Sequence, residues 1–145
     1  MLLKKAERRY NLSTEDYARL AAFRQGLREF LRFSEEEAER VGLLTQHYQA
    51  MLILRACPDG CTVTINDLAR QLLIKHNSAV GLVDRLEKEG LIRRVVSSTD
   101  RRKVELKLSA RGRQVLAKLA DTHRRELERI GSELKRLIAE VMKTD

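Results

Sequence analysis

The sequence is poor in the features that mark secreted, membrane-bound or enzymatic chains. It holds two cysteines, Cys57 and Cys61, too few for a disulfide framework and in keeping with a reducing compartment. No apolar run approaches the roughly 20 residues that cross a bilayer. The opening MLLKKAERRY lacks the apolar core of a secretory signal, so a cytosolic location is expected. There is no nucleophile set beside a base and no acid/base pair at suggestive spacing, so an enzyme is not expected. The histidines His47, His76 and His123 are too dispersed to suggest a zinc site, and neither a metal nor a cofactor is predicted. The single proline, Pro58, marks a turn at Pro58-Asp59-Gly60.

What is abundant is charge, and it is unevenly placed. Over 145 residues, 29 Lys and Arg stand against 21 Asp and Glu, a net charge of +8 with a pI near 9.9. Residues 1–65 carry ten basic and nine acidic groups, residues 66–113 twelve and six, and residues 114–145 seven and six. The surplus therefore gathers in the middle third, as it would in a chain that meets a polyanion such as nucleic acid or an anionic membrane. With 34% charged and 43% hydrophobic residues, the composition is that of a folded, strongly helical protein.

Local patterns divide the chain into elements. Ser13-x-x-Asp16 is a capping box ahead of an apolar face formed by Leu20, Phe23, Leu27, Phe30 and Leu31, which predicts a first helix. SEEEAERVG either continues that helix or links it to the next. Thr45 is placed to cap a second helix that ends at CPDG. CTVT has the β-branching of a strand, and Thr64-x-x-Asp67 is a second capping box that opens INDLARQLL. Ala79, Leu82, Val83 and Leu86 predict a fourth helix, closed by Gly90. LIRRVV and RKVELKL read as two strands joined by SSTDR. Ser109 caps a long last helix whose seam runs through Leu116, Leu119, His123, Leu127, Ile130, Leu134, Leu137 and Val141. A seam of that length calls for a partner helix. The fold class expected is mainly α with a small β-hairpin (α+β).

Two short helices in tandem followed by a hairpin are the parts of a winged helix-turn-helix, whose second helix enters the major groove of DNA. The segment LARQLLIKHNSAVGLVDRLEKEGLIRRVVSSTDRRKVELKLSARGR, Leu68 to Arg113, resembles the DNA-binding core of the MarR family of transcriptional regulators. Its most specific parts are LVDRLEKEGLIRR, the wing TDRRKVELKLS and the RG that follows. The resemblance implies a single domain over 1–145, with a winged core at about 45–108 and dimerisation helices at about 13–40 and 110–143. It implies a homodimer on double-stranded DNA whose half-sites lie roughly 34 to 36 Å apart.

By the same resemblance Lys75, His76, Asn77, Ser78, Val80 and Gly81 lie at the groove-facing start of the recognition helix, with Arg85 over phosphate. Asn can pair with adenine, and Val can touch a thymine methyl. Lys75 stands where a capping Ser is common and Gly81 where a longer polar residue is common, so Asn77 either caps the helix or reads a base. In the wing, Arg94, Asp100, Arg101, Arg102 and Lys103 are the implied contacts. Asp100 orients Arg102 toward the minor groove, and Arg101 and Lys103 sit over phosphates.

The family resemblance also implies a repressor released by a small aromatic or phenolic effector. Tyr17, Phe23, His47, Tyr48 and Met51 could border its pocket, although core packing explains them more simply. His123, on an apolar seam, reads as a packed histidine rather than a ligand or pH sensor. A bridge between Cys57 and Cys61 would constrain little, and a redox role is not expected. The competing class is a winged helix used for architectural DNA coating or for protein contact, without ligand response.

Overall fold

A computed structural model describes residues 10–143. Its elements are α1 (Thr14–Arg40), α2 (Thr45–Ala56), α3 (Ile65–Leu72), α4 (His76–Lys88), β1 (Ile92–Val96), β2 (Val104–Leu108) and α5 (Ala110–Val141). This is the helical fold with one antiparallel hairpin that the sequence patterns predict. The chain divides into two compact units, one of residues up to 34 together with those from 124, the other of residues 35–123.

The caps decide where most helices start. Ser13 and Asp16 exchange the expected bonds: the Ser13 backbone N–H donates to the Asp16 carboxylate at 2.8 Å, and the Asp16 N–H donates to Ser13 Oγ at 3.1 Å. Thr64 and Asp67 repeat the pattern at the start of α3, at 2.9 and 3.2 Å. SEEEAER continues α1 to Arg40 instead of forming a link.

Three expectations need correction. The N-cap of α2 is Leu44, and Thr45 is the first helical residue, with a buried Oγ1 that has no hydrogen-bond partner. His47 takes the capping part, its Nδ1 accepting the Leu44 N–H at 2.9 Å, as a glutamate would three residues into a helix. CTVT is not a strand. It crosses the edge of the hairpin with the Leu106 N–H donating to the Val63 carbonyl at 2.8 Å. Cys57 and Cys61, expected to be reduced thiols, are joined by a disulfide with the two Cα atoms 5.6 Å apart. The turn between them folds back on itself, the Cys61 N–H donating to the Pro58 carbonyl at 3.0 Å, which brings the two side chains within reach.

In residues 35–123 the core is continuous. Met51, Leu68, Val83 and Leu86 are sealed from solvent, and Leu91, Ile92, Leu106, Leu108, Leu116 and Leu119 join them. Each such side chain contributes roughly 1.5–3 kcal/mol on leaving water. β1 pairs with β2 from Ile92↔Leu108 to Val96↔Val104. The hairpin is anchored where it meets α5: Ser109 Oγ donates to the Gly90 carbonyl at 2.6 Å and accepts the Gly112 N–H at 2.9 Å. Gly112 is required there, because a Cβ would stand 2.0 Å from the Leu91 carbonyl oxygen. The RG of the sequence motif is thus a packing feature.

In the other unit, Gly26 lets α1 approach the far end of α5, where an added Cβ would lie 3.0 Å from Leu137 Cδ1. Leu137 is buried there, whereas Tyr17, Leu20, Leu31, Leu127, Ile138 and Met142 are exposed. No helix among the described residues is long and apolar enough to cross a membrane.

Candidate nucleic-acid interface

The period of α4 sorts its residues into two faces. Ala79, Leu82, Val83 and Leu86 enter the core, which leaves Asn77, Ser78, Gly81, Asp84, Arg85 and Lys88 exposed on the opposite side. Val80 is half-buried at the border. Lys75 is the N-cap, extended at φ −68° and ψ 151°, and no side chain caps the helix. The first N–H groups of α4 therefore face outward without a side-chain partner and carry the positive end of the helix dipole beside the Lys75 ammonium.

Asn77 lies inside the first turn and its side chain has no hydrogen bond among the described residues, so it is not the cap. His76 Nδ1 meets Asn66 Oδ1 at 2.7 Å and ties the start of α4 to α3. Gly81 presents open space on the exposed face, with nothing within 4 Å of an added Cβ. Arg85 pairs with Glu89 at 3.1 Å, an exposed contact of small energetic weight.

Gly90, at φ 72°, ends α4 and redirects the chain into β1, its N–H donating to the Glu87 carbonyl at 2.9 Å. That turn brings Arg94 back over α4. Arg94, grouped by sequence with the wing contacts, pairs with Asp84 at 2.6 Å and Glu87 at 2.7 Å. These two carboxylates hold its guanidinium above its ordinary range, Asp84 having the larger effect. Arg94 thus braces the hairpin against α4, and its fork is occupied by carboxylates. Asp84 and Glu87 escaped the sequence reading, although their spacing of three on the exposed side of a basic segment was the available signal.

The tip of the hairpin is a built turn. The Ser97 N–H donates to the Lys103 carbonyl and the Lys103 N–H to the Asp100 carbonyl, both at 2.9 Å. Ser97 is buried, and its Oγ accepts the N–H groups of Thr99 and Asp100 at 3.3 Å. Asp100 Oδ1 accepts the Arg102 backbone N–H at 3.1 Å and its Nε–H at 3.2 Å. Those two donors, backbone first, hold the Asp100 carboxyl below the usual carboxylate range. The Arg102 side chain is 92% exposed, so its outer nitrogens project into solvent from a fixed base. Arg101 and Lys103 flank it, exposed.

Of the residues named from sequence, His76, Arg102 and Lys103 line one cleft of about 450 Å³, closed on its other side by Thr64, Asn66 and Asp67. The cleft joins the start of α4 to the hairpin. The effector-pocket residues are not assembled in the same way. His47, Tyr48 and Met51 are buried in the core of residues 35–123, and Tyr48 stacks on the buried His123 at 4.2 Å and 17°. Burial, and after it the Arg85 charge, pushes the His47 pKa down; burial pushes the Tyr48 phenol up. Tyr17 is exposed and Phe23 half-buried in the other unit.

Comparison with known proteins bears on the family and the fold. A model of the MarR family matches residues 41–103. The HTH-type transcriptional regulator FarR of Neisseria gonorrhoeae is 36% identical over 73 residues, half of each chain. The chain spans about half the length of the curated relatives it matches. AbsC, a MarR family transcriptional regulator from Streptomyces coelicolor, is similar in fold at a TM-score of 0.72 and 21% identity, covering 85% of this chain and 82% of that one. A Staphylococcus aureus MepR variant bound to an oligodeoxyribonucleotide is similar at a TM-score of 0.66 and 21% identity, covering 87% of this chain and 98% of that one.

Proposed function

We propose that this chain, whose residues 41–103 match a model of the MarR family, is a transcriptional regulator that binds double-stranded DNA through the start of α4 and the tip of the wing. One observation carries the reading: the uncapped, cationic start of the helix and the Asp100-braced Arg102 are joined by a single cleft. Asn77, Ser78, Val80 and Gly81 are the base-facing positions in this reading. Lys75, Arg85, Arg101 and Lys103 meet phosphates, and His76 holds α4 against α3. Arg102 enters the minor groove, where an arginine responds to width and potential more than to base identity. Arg94 acts indirectly, by setting the angle of the wing.

The chain acts as a homodimer, in which a second copy covers the apolar side chains that residues 10–34 and 124–143 leave exposed. Two-fold symmetry then asks for a near-palindromic operator with half-sites roughly 34 to 36 Å apart. We infer a cytosolic repressor. An aromatic or phenolic effector is supported by the family resemblance and by no assembled lining among His47, Tyr48 and Met51.

Selection of bound fragments from genomic DNA, followed by a salt series on the recovered site, tests the reading. Recovery of a symmetric site is expected, as is a shallower salt dependence for Arg102→Gln, by about one unit of log–log slope. A scrambled duplex bound as tightly as the recovered site would favour architectural coating. A monomer in sedimentation equilibrium would remove the two-fold operator.

A further inference from the structure

We propose that a second cleft, on the hairpin face turned away from the recognition helix, is a binding site for a compact polyanion of the charge class of a phosphomonoester or pyrophosphate. Strand alternation separates the two neighbouring arginines of β1. Arg94 turns to Asp84 and Glu87 on α4, whereas Arg93 lines a cavity of about 440 Å³. The end of α2, the Cys57–Cys61 loop, β2 and the first turns of α5 complete its wall. Leu54, Val63, Leu106 and Leu108 supply apolar lining. The volume suits a small molecule rather than a duplex.

The charge of the lining gives the ligand class. Arg55, Arg93, Lys107 and Arg113 border the cavity against two carboxylates, Asp59 and Glu105. Arg93 and Lys107 are register partners across the hairpin, and like charges directly opposite each other destabilise a strand pair. Glu105 is buried and lies 3.8 Å from Lys107, a loose contact that answers part of one cation. Elsewhere Arg19, Arg40, Arg70, Arg85, Arg94, Arg129 and Arg136 each have a carboxylate within 4 Å, whereas Arg24, Arg28, Arg101 and Arg111 have none among the described residues. Arg55, Arg93 and Arg113 have none among the described residues. Three guanidinium groups without counter-ions beside one cavity form a site that an anion with two or more charges completes, since their planar forks match phosphoryl oxygens.

The site stands apart from the proposed DNA contacts, so its test can fail while theirs succeeds. Pyrophosphate is titrated into the full-length protein, without DNA, by calorimetry, with acetate as the singly charged control. Three forms are compared: the natural chain, Arg93→Gln/Lys107→Gln, and Lys118→Gln/Lys135→Gln, which removes the same charge elsewhere on α5. Thermal melts verify that each is folded, and Arg55→Gln/Arg113→Gln replaces the first variant should its hairpin unfold. Saturable pyrophosphate binding is expected, weakened about tenfold or more by the cleft variant and less than about twofold by the distant one. Acetate should bind at least about tenfold more weakly than pyrophosphate. Equal losses in both variants, equal binding of acetate, or no saturable binding would each overturn the site. So would a parallel loss of duplex binding in the cleft variant, which would make this face part of a nucleic-acid surface.

Discussion

Residues 35–123 enclose Met51, Leu68, Val83 and Leu86 completely, whereas in residues 10–34 and 124–143 Leu137 is the buried large apolar side chain and Leu20, Leu31, Leu127 and Ile138 stay exposed. The polar chemistry differs in the same sense. The first unit is held by specific, partly buried bonds such as Asp67 to Thr64 and Gly112 to Ser109. The second is decorated with exposed pairs one helical turn apart, Arg129 to Glu126 and Arg136 to Glu133, both at 2.6 Å. Such pairs add little to stability, because water and salt screen them. One unit carries its own core; the other leaves most of its large apolar side chains open, as the proposed pairing with a second copy requires.

Removing core tests the contrast most severely. Leu86→Ala, in the sealed core, should cost about 3 to 5 kcal/mol, because the transfer free energy and a cavity are lost together. Leu127→Ala, at a side chain 44% exposed, should cost under about 1 kcal/mol in a dilute monomer. Urea unfolding of both measures the difference, and equal costs would erase it. At dimer-forming concentrations the Leu127→Ala cost should rise, so its dependence on protein concentration reports whether a second copy covers the seam. Gly112→Ala is next in size. The Cβ has no room beside the Leu91 carbonyl, and about 2 to 3 kcal/mol of overpacking is expected.

Acid separates the units by a different route. His47 is buried with Nδ1 accepting the Leu44 N–H, so the folded state favours the neutral ring, and Arg85 adds to that preference while Glu89 opposes it. The unfolded chain takes up a proton near the ordinary value of about 6.5. Stability should therefore be full above that pH and fall as pH drops below it, until the lowered folded-state pKa is passed. His47→Gln should flatten this slope in melts between about pH 7 and 5. Glu126, Glu133 and Glu140 are held low by Arg129, Arg136 and Lys143. Their contribution is present above the unfolded carboxylate range and disappears only as pH falls through the depressed folded values.

These contrasts also explain what could be read from residues alone. The boxes at Ser13 and Thr64, the cap at Ser109 and the stop at Gly90 were legible because each depends on partners within three or four positions. The wing was legible for the same reason, Asp100 and Arg102 being two apart. The cap at Leu44 was hidden because an imidazole stood in for a carboxylate. The pairing of Arg94 was hidden because its partners lie seven and ten residues back, brought near only by the turn at Gly90. The stack of Tyr48 on His123 and the single bond from Leu106 to Val63 join distant segments, and no local pattern announces either.

The smallest effect lies within one helix. Gly112 and Gly131 both belong to α5, one in each unit, and a Cβ on Gly131 meets nothing within 4 Å. Helical glycine costs roughly 0.5–1 kcal/mol relative to alanine, through the backbone freedom it gives the unfolded chain. Gly131→Ala should accordingly stabilise by about that amount, opposite in sign to Gly112→Ala. Thermal melts at two protein concentrations sharpen the point. A gain at both concentrations means that the open space beside Gly131 persists in the dimer, and a gain confined to the dilute sample means that a second copy's backbone approaches there. A loss at both would show that Gly131 is packed within the monomer, and the division between a sealed unit and an open one would then not hold at this position.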